Sequence, residues 1–241
     1  MTAMRLLTMM MLLSSLFGCG TPAPKGNLVY CSYAKAGSAG LGKDYCELIA
    51  DADSVPKVVV VLRRGNRFGE PEINMEFPVE QQVVDSLQQL LAQEKVYRLN
   101  GYSLEEAITG GYAYRIYMEY ASGEKINARW YGNNVKPEAL SAYRLIENYF
   151  DPWRRKAYLQ VRVEWIQQME ARYDRLSRAQ RQRKRYDTLQ EDLQELERYL
   201  ESGVWQQDYE ADERGELPAD LKRGVLSQDG LYNLLQGDFD F

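Results

Sequence analysis

From Lys57 onward the chain sorts hydrophobic from polar positions in short blocks whose period changes along its length. Lys57-Val-Val-Val-Val-Leu62 is an uninterrupted β-branched run, the pattern of a strand buried on both faces. A turn at Gly65-Asn66-Arg67-Phe68-Gly69 leads into strict alternation, with Ile73, Met75 and Phe77 on one side and Glu72, Asn74 and Glu76 on the other. Between Val79 and Lys95 the period lengthens, and Val83, Val84, Leu87, Leu90 and Leu91 form a helical stripe. A second hairpin follows. Tyr112, Tyr114, Ile116, Met118 and Tyr120 alternate with Ala113, Arg115, Tyr117 and Glu119, Ser122-Gly123 turns the chain, and Ile126, Ala128 and Trp130 answer on the return. Pro137 opens a helix striped by Leu140, Tyr143, Ile146 and Phe150, and Pro152 is expected to end it. The order ββαββα, preceded by an N-terminal strand or two, predicts an α+β domain over residues 27–151: an antiparallel sheet backed by two helices.

Residues 155–241 read as an all-α helical hairpin. Leu159, Val163, Ile166, Met169, Tyr173 and Leu176 make one stripe; Tyr186, Leu189, Leu193, Leu196 and Leu200 make the next. Between the stripes, Arg172, Arg175, Arg178, Arg181, Arg183, Lys184 and Arg185 form a basic run free of Gly and Pro. Asp187 to Asp220 then holds 12 acidic residues against Arg198 and Arg214 alone. Opposite charges favour antiparallel, coiled-coil-like pairing of the two helices, or else one long helix that awaits a partner. The arginines themselves read as a solvated, salt-bridged face, with anionic lipid head groups as the sharper alternative. Ser202-Gly203 breaks the second helix, Trp205 and Tyr209 lead into an acidic loop, and Ser227 is an N-cap for Gln228 to Leu235 with Asp229 in its first turn.

The stretch 199–235, YLESGVWQQDYEADERGELPADLKRGVLSQDGLYNLL, resembles the terminal signature of the domain-of-unknown-function family 4298. Gln167-Gln168-Met169-Glu170 fits the start of that family's first helix, so the resemblance covers residues 160–236 or so; it departs at Leu200, where an aromatic is usual. It implies a helical pair leading into the motif. The family has no assigned activity, so no catalytic residue is carried over. The hairpin GYAYRIYMEYASGEKI with its Pro-led helix is loosely similar to other small bacterial lipoprotein domains of unknown function.

At the N-terminus, Arg5 precedes an apolar stretch, Leu6 to Leu16, whose 11 residues are too few to span a bilayer. Leu16-Phe17-Gly18-Cys19 resembles the lipobox of bacterial lipoproteins, with Phe17 bulkier than the usual residue there. The resemblance implies removal of a signal peptide, residues 1–18, and acylation of Cys19 by palmitate-type chains. Cys19 and a Pro/Gly-rich tether then make up residues 19–26. An ordinary secretory signal is the alternative. No acidic run follows Cys19, which points to a periplasm-facing envelope protein held to the membrane by its anchor. No later segment approaches 18 consecutive apolar residues.

Composition narrows the chemistry. The 241 residues carry 30 Lys+Arg against 35 Asp+Glu, and losing Arg5 with residues 1–18 moves the net charge from −5 to −6, a poor match to nucleic acid. The absence of histidine removes the commonest general base, the Ser-His and Cys-His nucleophile pairs and every His-ligated metal site. Three cysteines are too few for an all-thiolate zinc site. With Cys19 assigned to lipid, Cys31 and Cys46 are left either as a disulfide closing a loop of about 15 residues, which contributes about 3 kcal/mol in the chain-entropy model and would staple the small, Gly-rich loop AKAGSAGLGK at 34–43, or as two buried thiols.

On the first domain, a sheet face carrying Glu72, Asn74, Glu76, Arg115, Tyr117, Asn127, Arg129 and Tyr131 is either a solvated surface or a polar-aromatic platform for a sugar or peptide. Arg115, Tyr117, Arg129 and Tyr131 are its candidate binding residues. Asp208, Glu210 and Asp212 have the i, i+2, i+4 spacing of a calcium loop but lack its Gly and its closing Glu. Asp208, Asp212 and Glu216 are the candidates for paired-carboxylate hydrolysis. None of these outweighs packing and solvation, so the expectation is a non-enzymatic binding or scaffold protein without metal or cofactor. Its protein partner would be met through the C-terminal helices, and its oligomeric state is left open. A glycan-binding or glycan-processing lipoprotein is the alternative.

Overall fold

The computed structural model describes residues 22–37, 43–63, 72–104, 111–132, 135–182 and 189–237. Cys19 and the rest of the N-terminal segment read as a signal peptide and tether up to residue 21, the expected turn at 65–69, and Arg183, Lys184, Arg185 and Tyr186 lie outside the described residues. The fold is α+β. Its strands are β1 (Leu28–Gly37), β2 (Lys43–Ile49), β3 (Lys57–Arg63), β4 (Ile73–Pro78), β5 (Ser103–Leu104), β6 (Tyr112–Tyr120) and β7 (Lys125–Tyr131). They form one sheet in the order β4-β3-β2-β1-β6-β7-β5, antiparallel throughout except for the short β5–β7 pair. The helices are α1 (Gln81–Gln93), α2 (Pro137–Gln182), α3 (Leu189–Glu201), α4 (Val204–Glu213) and α5 (Gln228–Leu235).

The alternating segments form strands as their periods require. Val58, Val60 and Leu62 of β3 face the helices beside Ile73 and Phe77 of β4, while Val59 and Val61 are buried on the opposite face. The N-terminal strands are more than additions to the pattern. β1 is central, pairing with β2 on one side and with β6 on the other, and it joins the two hairpins into one sheet. The small residues of Ala34–Gly37 continue β1 as strand, where the sequence suggests a loop.

Pro152 does not end its helix. α2 runs 46 residues from Pro137 to Gln182 with Pro152 inside it, about 70 Å at 1.5 Å per residue. Proline removes the N–H whose hydrogen bond the carbonyl of Asn148 would accept, and Asn148 lies on the exposed side of the helix rather than in the core. Side chains on both sides of the proline hold the helix in line. Phe150 is fully buried, with ring centroids 6.3 Å from Trp153 and 5.7 Å from Tyr33 of β1. Arg154 pairs with Glu147 at 3.6 Å and Arg155 with Asp151 at 2.5 Å, both across Pro152.

Because α2 continues, one helix serves two hydrophobic cores. Its first half, through Ala142, Tyr143, Ile146, Phe150 and Ala157, packs on the sheet with Leu87 and Leu91 of α1. Its second half, through Ile166, Met169, Leu176 and Ala179, packs against Leu189, Leu196 and Tyr199 of α3, Trp205 of α4 and Leu231 of α5.

Cys31 and Cys46 are not bonded; both are free and buried. The β1–β2 register sets Cys31 opposite Leu48 and Tyr33 opposite Cys46, so the two cysteines are diagonal neighbours on the core face. Diagonal positions lie about 7–8 Å apart, beyond the usual Cα separation of a disulfide. Cys46 Sγ instead accepts from the Tyr33 hydroxyl at 3.5 Å.

Two outcomes are expected. Replacing Pro152 by Ala restores the missing hydrogen bond and should raise the unfolding free energy by about 1–3 kcal/mol in urea titration; a loss of stability would mean that the helix is bent to suit the proline. Burial pushes the Cys31 and Cys46 thiols from an ordinary 9.0 up to about 12. In a Cys19→Ser chain neither thiol should therefore react with a thiolate-specific reagent at pH 8 until the protein is unfolded. The unfolded chain gives up these protons near pH 9 and the folded chain near 12. Their contribution to stability is thus complete below the lower value and is lost as pH rises through that window.

Candidate functional site

The polar-aromatic residues do share one sheet face. Arg115 and Tyr117 come from β6, Arg129 and Tyr131 from β7, and the register sets Arg115 opposite Arg129, Tyr117 opposite Asn127 and Ala113 opposite Tyr131. Neighbouring side chains already engage much of this surface. Arg115 Nε donates to Asn127 Oδ1 at 3.2 Å, and its guanidinium lies 4.8 Å from the Tyr117 ring centroid. The Tyr117 hydroxyl donates to Glu119, which pairs with Lys125 at 3.0 Å; both contacts hold the Glu119 carboxyl below its ordinary range. Tyr30 meets the Tyr117 ring edge-on at 5.8 Å and donates to Glu47, while Arg129 Nε donates to Ser103 Oγ at 3.2 Å. Two tyrosine hydroxyls that a ligand would use are committed to carboxylates.

The C-terminal helices hold the densest polar constellation. Asp192 sits on the buried side of α3 with 1% of its surface exposed. Arg175 grips it with two bonds of 2.6 and 2.7 Å, and Arg172 adds a third at 2.7 Å, tying α3 to α2. Further back on α2, Arg162 makes a two-bond pair with Asp208 of α4, one bond at 2.9 Å, and the Tyr199 hydroxyl donates to the same carboxylate at 2.7 Å. Burial pushes the Asp208 carboxyl up, against the pull of Arg162 and Tyr199.

The tail is fastened at one residue. Val225 N–H donates to Glu170 Oε2 at 2.6 Å, and Val225 C=O accepts from Trp205 Nε1 at 2.9 Å. Lys222 Nζ stands 3.1 Å from the other Glu170 oxygen. Gly224 is required by this approach, since a Cβ there would come within 2.6 Å of that oxygen. Arg223 donates to Asp212 at 2.9 and 3.0 Å and to the carbonyls of Pro218 at 2.9 Å and Ala219 at 3.2 Å, closing the turn between α4 and α5. Ser227 caps α5, its Oγ accepting from Gly230 N at 3.2 Å.

These contacts revise the sequence reading of the acidic segment. Residues up to Glu213 are helical rather than loop, so Glu210 lies about 200° around α4 from Asp208, while Asp212 stands one turn along on the Asp208 side, and the three do not converge. Among the described residues no three acidic or cysteine side chains group to hold a metal. Asp208, Asp212 and Glu216 answer three different arginines, Arg162, Arg223 and Arg214. The basic run divides as well: Arg172 and Arg175 turn to Asp192, and Arg178 donates to the carbonyl of Asp174 on its own helix.

Sequence reasoning missed Arg162, Glu170 and Asp192 as buried charges. One signal existed: Asp192 follows Leu189 by three and precedes Leu196 by four, an acidic residue on an apolar stripe. Arg162 and Glu170 carry the same mark: Arg162 follows Leu159 by three and precedes Ile166 by four, and Glu170 follows Ile166 by four and precedes Tyr173 by three.

Residues 166–240 match the model of the family described as Domain of unknown function (DUF4298), close to the 160–236 anticipated from the motif. No curated protein matches the chain. The matched segment contains Glu170, Asp192, Asp208, Arg223 and Val225, the fastenings described above, and begins just after Arg162.

Replacing Arg162 by Met should cost about 3–5 kcal/mol in urea titration, because it strands a buried carboxylate. The paired change with Asp208→Leu should recover most of that loss; a double variant as unstable as the single one would mean that the ion pair is not the cause.

Proposed function

We propose that this chain is a lipid-anchored protein of the bacterial cell envelope, periplasm-facing, that works by binding or scaffolding rather than by catalysis. The observation that carries the reading is the N-terminal sequence: one basic residue, the apolar run Leu6–Leu16, and Cys19 in a lipobox-like context. Acyl chains on Cys19 would hold firmly, each buried methylene contributing about 0.8 kcal/mol. The seven residues that follow would keep the sheet within on the order of 15 Å of the bilayer if flexible.

Support for a non-catalytic role comes from how the chemical groups are used. The thiols of Cys31 and Cys46 are buried, with thiolate formation suppressed. The carboxylates of Asp192 and Asp208 are consumed in helix-to-helix ion pairs. In this reading residues 27–151 and 155–241 are two units strung along α2, the first near the membrane and the second offering its helices to a protein partner.

Metabolic labelling with a palmitate analogue, followed by membrane fractionation, is the test. The native sequence should take up label and sediment with membranes, whereas Cys19→Ser should do neither. A Cys19→Ser chain that remains labelled and membrane-bound would end the proposal.

A further inference from the structure

A cavity of about 390 Å³ opens between the start of α2 and the ends of β1, β6 and β7, away from both the outer sheet face and the C-terminal fastenings. Its walls are aromatic. Tyr114 and Trp130 stack at 5.6 Å, and Tyr143 meets both edge-on, at 5.1 and 6.0 Å. Trp130 Nε1 and the Tyr143 hydroxyl are shut off from solvent, yet neither has a hydrogen-bond partner. Two unpaired donors that border the cavity but are covered in this structure gain acceptors from outside the chain only when the rings over them shift as a ligand enters.

The mouth adds charge. Lys35 and Arg144 line it, and neither has an ion-pair partner among the described residues. Lys35 rests 4.1 Å over the Tyr112 ring and 6.0 Å from that of Tyr114. The one acidic residue of the lining, Glu147, is turned to Arg154 at 3.6 Å. The cavity therefore pairs apolar ring walls and two deep donors with a positive rim.

We infer that this cavity binds an acidic saccharide. A pyranose presents a C–H face to the aromatic walls, its ring and hydroxyl oxygens accept from Trp130 and Tyr143, and its carboxylate meets Lys35 and Arg144. The volume suits one or two sugar rings. A flat aromatic acid would fill the walls but has no ring of oxygens for the two donors, and a small anion would use only the rim. The inference goes beyond the anchoring reading and does not depend on it.

The test is calorimetric titration of the full-length chain in detergent with N-acetylmuramic acid, glucuronic acid, N-acetylglucosamine, benzoate and acetate. At least one acidic sugar should bind, tenfold or more tightly than N-acetylglucosamine, benzoate or acetate. Preference for N-acetylmuramic acid would indicate peptidoglycan as the source, preference for glucuronic acid a uronic-acid polysaccharide, and either supports the inference. Lys35→Gln and Arg144→Gln, at the rim, should each weaken binding about tenfold without lowering the melting temperature. Trp130→Phe, which keeps a ring but removes the donor, should weaken it further. The inference is overturned if neither acidic sugar binds, if N-acetylglucosamine, benzoate or acetate binds as well, or if the Lys35/Arg144 double variant keeps its affinity. Cys19→Ser labelling judges the anchor separately, so the two failures are distinguishable.

Discussion

The rest of the structure hangs on α2 remaining one helix. Its 46 residues supply an apolar face to the sheet and then another to the C-terminal helices, so a break at Pro152 would leave two cores without a common member. A proline in mid-helix is ordinarily disruptive. Here the orphaned carbonyl belongs to an exposed residue, and the burial of Phe150 and Ala157 on either side makes departure from the helical path more costly than the lost hydrogen bond. Tertiary packing overrides local propensity at this point.

Beyond the sheet, α2 becomes the rail on which the C-terminal helices are positioned. Arg162, Glu170 and the pair Arg172/Arg175 project from α2 in that order along its second half, and each reaches a different later element: α4, the turn before α5, and α3. Apolar contacts alone would allow these short helices to slide and rotate. Buried charges remove that freedom because a misplaced arginine leaves a carboxylate unpaired in a dry environment. Such pairs are weak evidence for net stability. Their geometric consequence is definite: Val225 is gripped at both its N–H and its C=O, and the tail has one seat.

How far this was legible from the residues depends on whether the deciding partner was near in sequence. The second hairpin, the β-branched strand and the Ser227 cap follow from local period and turn chemistry, and all three form as expected. Residues 34–43 looked like a Gly-rich loop, and a disulfide across them looked natural. The β1–β2 register instead carries strand through Ala36 opposite Lys43 and leaves the thiols diagonal. Arg115, Tyr117, Arg129 and Tyr131 were rightly placed on one face by period-two arithmetic. The contact of Tyr117 with Glu119 is local to β6, whereas its engagement with Tyr30 was not readable, because β1 enters the sheet from far upstream. The aromatic cavity was missed for the same reason, since Tyr114, Trp130 and Tyr143 meet only once α2 docks on the sheet.

The sequence by itself determined the elements and their charge: alternation made strands and 3.6-residue spacing made helices. These are properties of residues within a few positions of one another, where the chain's own geometry does the sorting. The tertiary structure alone decided that α2 continues through Pro152 and that Cys31 and Cys46 stay apart. It also decided which of the many arginines and carboxylates are buried partners and which face water. Those outcomes turn on burial and on register between segments tens of residues apart, and neither exists until the chain has folded.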